Sequence, residues 1–374
     1  MKCGLLMTHL NDGAKNLAEI IDHLITVPVF SGSSLANRPV VLELYTAARA
    51  KSGGPLVFDA TEKLLSAFEN LEKKSVIIAT GFVVPPWIEA ETDGPVGAIS
   101  LAHSLSLGFD LTPVLITEPG SVAKLANLGE QGGFRVTSHE KAMKVPRRLV
   151  VEGFTLDREK AKKEAEELLR KVSPSAIISV EKASPNRKGV YHSGIGVDVS
   201  SLSSKVDALI KSAREIGIPT IGIGDAGNEI GMGVIEDTVR DILPTGKDCG
   251  CPCHDGVASA VSTDSLIVTG TSNWGCSAIE AMLSYHFKTP ELLHDGAMED
   301  FLIRAAASAG FIDPASGFAE AGVDAIPAKI HAAMIDVLNF IARSRYTDSF
   351  YIRKYREFTK NKEKIARLIK DSES

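Results

Sequence analysis

The sequence has no stretch approaching the roughly 20 unbroken apolar residues that a membrane-spanning helix needs, so none is predicted. It has no positive surplus. Forty-one Lys and Arg stand against 47 Asp and Glu, for a formal net charge of −6, and no global field recruits nucleic acid. An anionic small molecule is not excluded, because local donors decide that kind of binding. Met1 to Gly13 lacks the charged, apolar and small-residue order of a signal peptide, so the expected compartment is the cytoplasm. Cysteine is scarce: five in 374 residues, three of them clustered as Cys249, Cys251 and Cys253. That is not the disulfide framework of a secreted scaffold. The chain contains no repeat of fixed period, no low-complexity tract, no G-x-S-x-G elbow and no Walker lysine motif. What is present is ordinary for a globular protein, 44% hydrophobic and 24% charged. The length suffices for a large core, as one big domain or two smaller ones.

The first ~70 residues carry helical spacing. Leu17, Ile20, Ile21 and Leu24 fall on one face, as do Leu64, Leu65, Phe68 and Leu71, with breaks at Ser31 to Asn37 and at Gly53-Gly54-Pro55. From Ser75 the pattern changes to short β-branched runs: Val76–Ile78, Val114–Ile116, Leu149–Val151, Ala176–Ile178, Thr220–Ile223 and Leu266–Val268. None alternates with polar residues, so both faces are expected to be buried, as in a parallel sheet covered by helices on both sides. Asp157 is placed to cap a helix running to Lys171, with Glu159/Lys163 and Glu166/Arg170 as i,i+4 pairs. A second helix is predicted over Val206 to Ile216, stopped by Gly217. Ala278 to Phe287, Met298 to Ala309 and Ile326 to Ile341 are helical again, and the Lys/Arg-rich segment Arg353 to Lys370 reads as a packed surface helix. The expected fold is thus α/β, a mostly parallel, doubly wound, Rossmann-like sheet. Residues 1–74 form a helical prelude packed on a 75–290 core, and 291–374 a helical C-terminal extension of one compact unit.

Ligands of open parallel sheets bind beyond the carboxyl ends of the strands. There the chain carries Glu118, Glu181 and Asp225, each of which could also merely cap the next helix. The strongest local signal runs from Gly222 to Gly233. Gly224 and Gly227 permit close backbone approach, exposed amides form an anion nest, and Asp225, Asn228 and Glu229 add acceptors for an ammonium group or a divalent cation. It fails as a dinucleotide fingerprint. Asp93 or Thr92 can cap a helix starting near Pro95, where the Asp93-Gly94 amides could receive a carboxylate. Asn273 can donate to an oxyanion or serve as a cap. The Cys249/Cys251/Cys253 spacing is tighter than that of structural zinc sites, and no second Cys/His cluster pairs with it in sequence. An intersubunit metal, a redox disulfide and inert thiols all remain open.

Taken in order, Thr80-Gly81-Phe82, Glu91-Thr92-Asp93-Gly94-Pro95 with Gly97-Ala98, Glu181-Lys182, Gly189 with Tyr191, Gly196 with Asp198, Gly224-Asp225 through Gly233, and Ser272-Asn273-Trp274-Gly275 resemble the C-terminal domain of the D-glutamate cyclase family, over roughly Ser75 to His286. The likeness is to the stand-alone prokaryotic form. Ala226, Lys182 and the cysteine loop depart from the family pattern. The resemblance implies a lyase that closes D-glutamate into 5-oxo-D-proline plus water. Asp225 or Glu229 would be base at the amine and Glu181 the acid. Asp93, Gly94, Gly224, Gly227, Asn228 and Asn273 would hold substrate. The scheme requires no cofactor, and Asp225 and Glu229 admit Mg²⁺ or Mn²⁺. The expected partner is a small amino acid, with no nucleic acid or membrane, and homo-oligomerisation is left open. The alternatives are a metal-assisted hydrolase or lyase for another amino acid and a non-catalytic binder of an anionic metabolite or nucleotide.

Overall fold

The computed structural model describes residues 9–28, 40–69, 74–344, 350–360 and 362–372. The Ser31–Asn37 break, Leu71 and Cys3 lie outside them. Residues branched at Cβ fit a pleated surface covered on both sides, and each predicted β-branched run forms a strand. These are β1 (Ser75–Gly81), then after the small hairpin of β2 (Val83–Val84) and β3 (Glu89–Ala90), β4 (Thr112–Thr117), β6 (Arg148–Gly153), β7 (Ile177–Lys182), β8 (Thr220–Gly224) and β9 (Ser265–Val268). A two-residue edge strand, β5 (Arg135–Val136), was too short to leave a pattern in the sequence. The seven-stranded sheet is parallel throughout, in the order β5-β6-β4-β1-β7-β8-β9. The chain begins mid-sheet at β1, winds outward through β4 and β6, then returns to the other side of β1 for β7, β8 and β9. The order therefore reverses between β1 and β7, where a crevice opens at the strand ends.

Helices α1 (Asp12–Ile25), α2 (Val41–Ser52) and α3 (Leu56–Phe68) precede the sheet. Within it come α4 (Pro95–Phe109), α5 (Val122–Gln131), α6 (His139–Ala142), α7 (Arg158–Val172), α8 (Val206–Glu215) and α9 (Glu236–Ile242). After it come α10 (Ser272–Phe287), α11 (Gly296–Ala309), the hairpin β10 (Gly322–Val323) with β11 (Ile326–Pro327), α12 (Ala328–Ser344), α13 (Phe350–Thr359) and α14 (Lys362–Ser372). Strand side chains alternate between two cores. Val76 and Ile78 join residues of α1, α3, α4, α10, α11 and α12, whereas Ile77 and Ala79 join α7 and α8.

In α1, Leu17 and Ile21 are fully buried, while Ile20 is 38% exposed and lies off the expected face. Asp22 of α1 accepts from the Leu56 and Val57 amides (2.6 and 3.1 Å), capping α3 from a neighbouring helix. Asp157 caps α7 as expected, accepting from the Glu159 amide at 2.9 Å. The two expected ion pairs on α7 give way to looser contacts. Lys163 leans to Glu167 at 3.9 Å, and Arg170 donates to the Glu166 carbonyl at 3.2 Å. Exposed flexible side chains gain little from any one partner.

The expected packed helix over Arg353–Lys370 is instead two helices, α13 and α14. In them Tyr355, Leu368 and Ile369 stand 70%, 59% and 56% exposed, so these side chains are not docked as the expected packing would require. Among the described residues, no helix is long and apolar enough to cross a membrane.

Candidate active site

The crevice at the switch point is a cavity of about 330 Å³. Its floor carries Glu181 from the end of β7 and Asp225, Ala226 and Asn228 from the bend after β8. Glu91 approaches from behind β3, and Asp324 from the β10–β11 turn. Phe82, Val84, Pro85, Ile195, Pro314 and Ala315 supply apolar walls, with Ser193 and Gly194 between them. No lysine or arginine lines it among the described residues. The carboxylate oxygens of Glu181, Asp225 and Glu229 lie within 4.8 Å of one another, as do those of Asp93, Asp225 and Asp324. Asp225 belongs to both sets.

Each acid is aimed by local structure. Glu181, the last residue but one of β7, lies in the left-handed region (φ +45), and its Oε2 accepts from the Ser272 hydroxyl at 2.7 Å. Glu229 turns back on the glycine bend and accepts from the Ala226 and Gly227 amides (2.9 and 2.8 Å). The expected anion nest is therefore filled by the chain's own Glu229. Gly227 takes φ +100, which permits that bend. A side chain at Gly224 would meet Glu229, and one at Gly94 would meet Thr80 and Glu181, so both glycines act by close packing beneath the acids. Asn228 donates to the His192 carbonyl at 2.8 Å, which leaves its Oδ1 buried without a partner. Asp324 Oδ2 and Ser193 Oγ are likewise buried and unpartnered. Three such atoms around one cavity mark a place for a polar ligand.

Asp93 and Asn273 play different parts from those the sequence suggested. Asp93 does not cap its own helix. It accepts from the Ser272 and Asn273 amides (2.8 and 2.9 Å) at the start of α10. Asn273 Oδ1 in turn accepts from the Gly94 and Gly97 amides (2.9 and 2.8 Å) at the start of α4. The two helices, side by side on one face of the sheet, cap each other, and Asn273 sits behind the cavity rather than on its surface. Glu118, at the end of β4, is also absent from the lining. It pairs with the fully buried Lys182, whose ammonium also donates to the Gly81 carbonyl at 2.9 Å. Burial lowers the Lys182 pKa.

Burial raises the remaining carboxyls, and mutual repulsion adds to it. Glu181 is pushed well above the usual range, helped by Glu229 and Asp225. Asp225, Asp324 and Glu91 are pushed up the same way, each by burial first and then by a neighbouring carboxylate. Asp93 is held to about 6 because the Asn273 and Ser272 amides oppose its burial. Glu229 is raised, against the pull of the Gly227 and Ala226 amides. Carboxyls all raised by burial and by one another, to different degrees, are what acid and base chemistry in one cavity calls for.

Sequence reasoning missed Glu91 as a lining acid, and Asp324 altogether. Asp324 and Ala325 both have positive φ (+53, +64) in a two-residue hairpin turn. The only signal was the Asp, a residue that tolerates this region. The cysteine loop lies outside the cavity, and His192, distant in sequence, joins it in space.

Fold and cavity together define a doubly wound α/β protein with an acid-rich cavity at the switch point of its sheet. The family model described as "D-glutamate cyclase-like, C-terminal" matches residues 45–339, and the chain belongs to that family. It is 27% identical over 237 residues to human "D-glutamate cyclase, mitochondrial", in an alignment covering 59% of this chain and 35% of that protein. The chain thus spans about a third of the length of the curated relative it matches.

Proposed function

We propose that the chain closes D-glutamate into 5-oxo-D-proline, as a hydro-lyase acting on a small amino acid without nucleic acid or membrane partners. The observation that carries this reading is the convergence of Glu91, Glu181, Asp225 and Asp324 on one buried cavity in a member of this family. In the reaction the amino nitrogen attacks the side-chain carboxyl carbon. The nitrogen gives up two protons in all and one carboxyl oxygen leaves as water, so no net proton is exchanged. Asp225 faces the cavity and is the better-placed base, since both Glu229 oxygens are engaged by amides. Glu181, raised by burial, donates to the leaving oxygen. Asn228 Oδ1 accepts from the substrate ammonium before deprotonation. The apolar walls hold the substrate's carbon chain folded toward the five-membered ring, which lowers the entropic part of the barrier.

The substrate's carboxylates enter a cavity without a lysine or arginine in its lining. Protonated Glu91 and Asp324 can donate to them. The two carboxylate triads also suit a hard, oxygen-preferring cation such as Mg²⁺ or Mn²⁺, held by Asp225 with Glu181 and Glu229 or with Asp93 and Asp324. When bound, that ion supplies Lewis acidity at a carboxyl oxygen.

The test is chiral chromatography of 5-oxoproline formed from D-glutamate, with L-glutamate and the glutamines in parallel, each with and without Mn²⁺ or Mg²⁺. Failure of D-glutamate to react under every condition overturns the reading. Turnover of another amino acid only with metal supports the metal-assisted alternative, which the two carboxylate triads favour.

A further inference from the structure

We propose that Cys249, Cys251, Cys253 and His192 form a structural zinc site that pins one wall of the cavity. The four donor atoms lie within 4.8 Å of one another. Cys249 Sγ is 3.1 Å from Cys251 Sγ and 3.4 Å from Cys253 Sγ, while His192 Nε2 is 3.3 and 3.5 Å from Cys251 and Cys253. These separations exceed the about 2.05 Å of a disulfide. They fall short of the edges of a tetrahedron built on Zn–S of about 2.3 Å and Zn–N of about 2.0 Å by up to about 0.7 Å, the most between Cys249 and Cys251. A small outward spread of the ligands admits the ion.

The chain is shaped for this convergence. Gly250 at φ +73 and His254 at φ +47 curl the loop so that alternate residues point inward. That turn is why a spacing tighter than the usual C-x₂₋₄-C still brings three sulfurs together. Backbone and side-chain N–H groups face the sulfurs: the Cys253 amide donates to Cys251 Sγ at 3.4 Å, and Asn186 Nδ2 to Cys253 Sγ at 3.4 Å. The His192 ring is fully buried, its Nε2 meets only sulfur, and its Nδ1 has no hydrogen-bond partner. A buried imidazole whose polar contacts are all thiols has the surroundings of a metal ligand. Four protein donors close the coordination shell, as in a structural rather than a catalytic site. Binding Zn²⁺ displaces the thiol protons and changes no oxidation state.

The position gives the ion its purpose. His192 precedes Ser193, Gly194 and Ile195 of the cavity wall, and its carbonyl accepts from Asn228 Nδ2 at 2.8 Å. Gly196 packs directly against the Cys249 carbonyl. Zinc would therefore tie this wall to the 249–253 loop, whichever substrate the cavity takes.

The test is elemental analysis of the full chain, purified in reducing buffer without added metal and dialysed against a mild chelator. About one zinc per chain is expected, retained by Asp225→Asn and lost from Cys251→Ser/Cys253→Ser. Should the double variant fail to fold, two wild-type measurements serve. Mercurial titration of the thiols should release zinc in step with three cysteines, and cobalt exchange should produce a thiolate-to-cobalt charge-transfer band. Zinc-free wild type that takes up none from an equimolar supply overturns the proposal. So does zinc retained by a folded double variant, or a native mass two hydrogens low from a disulfide among the three cysteines.

Discussion

At Asp225 two carboxylate triads meet, so this side chain should separate chemistry from stability most cleanly. Asp225→Asn removes the proposed base and one of several repelling charges together. We expect kcat for 5-oxoproline formation to fall by about 10²–10⁴-fold, the usual worth of a general base. The melting temperature should hold or rise, because a like charge has gone. A variant with wild-type kcat would assign the base elsewhere. Asn273 is the opposite case. Asn273→Ala strands the Gly94 and Gly97 amides at the start of α4, and each buried unpaired donor costs about 1–3 kcal/mol. Urea unfolding should show that loss; an unchanged midpoint would mean other acceptors replace the side chain.

At the scale of elements, the β10–β11 hairpin is held by Asp313. That carboxylate accepts from the Ala315 amide at 2.9 Å and from the Ala325 amide at 3.0 and 3.2 Å. Because the turn presents Asp324 to the cavity, Asp313→Ala should raise KM or lower kcat several-fold while the far side of the sheet keeps its hydrogen-exchange protection. A second clamp joins α10 to α11. His294 Nδ1 meets Glu280 at 2.8 Å and Nε2 meets Glu299 at 2.9 Å. Burial alone would lower the His294 pKa, but the two carboxylates lift it from 6.5 to about 10. The folded state thus holds a proton that the unfolded chain releases near 6.5. The stabilisation is complete below that pH and is lost as pH climbs toward about 10. His294→Gln should cost about 3–5 kcal/mol near neutrality, and should flatten the decline of melting temperature across that alkaline range.

Much of this layer was legible in the chain. Six apolar, largely β-branched runs announced their strands, because strands covered by helices on both faces do not alternate such residues with polar ones. The strand-end acids Glu181 and Asp225 could be placed by topology alone. Partner choice could not. That Asp93 caps α10 and Asn273 caps α4, that Glu118 turns to Lys182, and that Asp324 reaches the cavity from a late hairpin depend on packing between segments far apart in sequence.

Across the whole molecule, Glu91, Asp93, Glu181, Asp225, Glu229 and Asp324 share one buried region, and all are raised. Folding retains protons there that the unfolded chain sheds, so metal-free protein should lose stability as pH rises. For Asp93 that window opens near 3.8 and passes through about 6. Differential scanning calorimetry of the His294→Gln protein would isolate this contribution from the imidazole's. Mn²⁺ at 100 times its dissociation constant should restore about 2.7 kcal/mol, with a tighter constant at higher pH. A profile that rises with pH would mean the acids are ionised in the fold without penalty.

The mutual capping of α4 and α10 reaches further than the rim it shapes. Its two participants lie about half the chain apart, at Asp93–Gly97 and Ser272–Asn273. Each helix takes the side-chain acceptors of its first-turn amides from the other. The early and late halves of the sheet therefore gain order together, and a severed fragment of either would carry a frayed helix where the intact protein has a finished one.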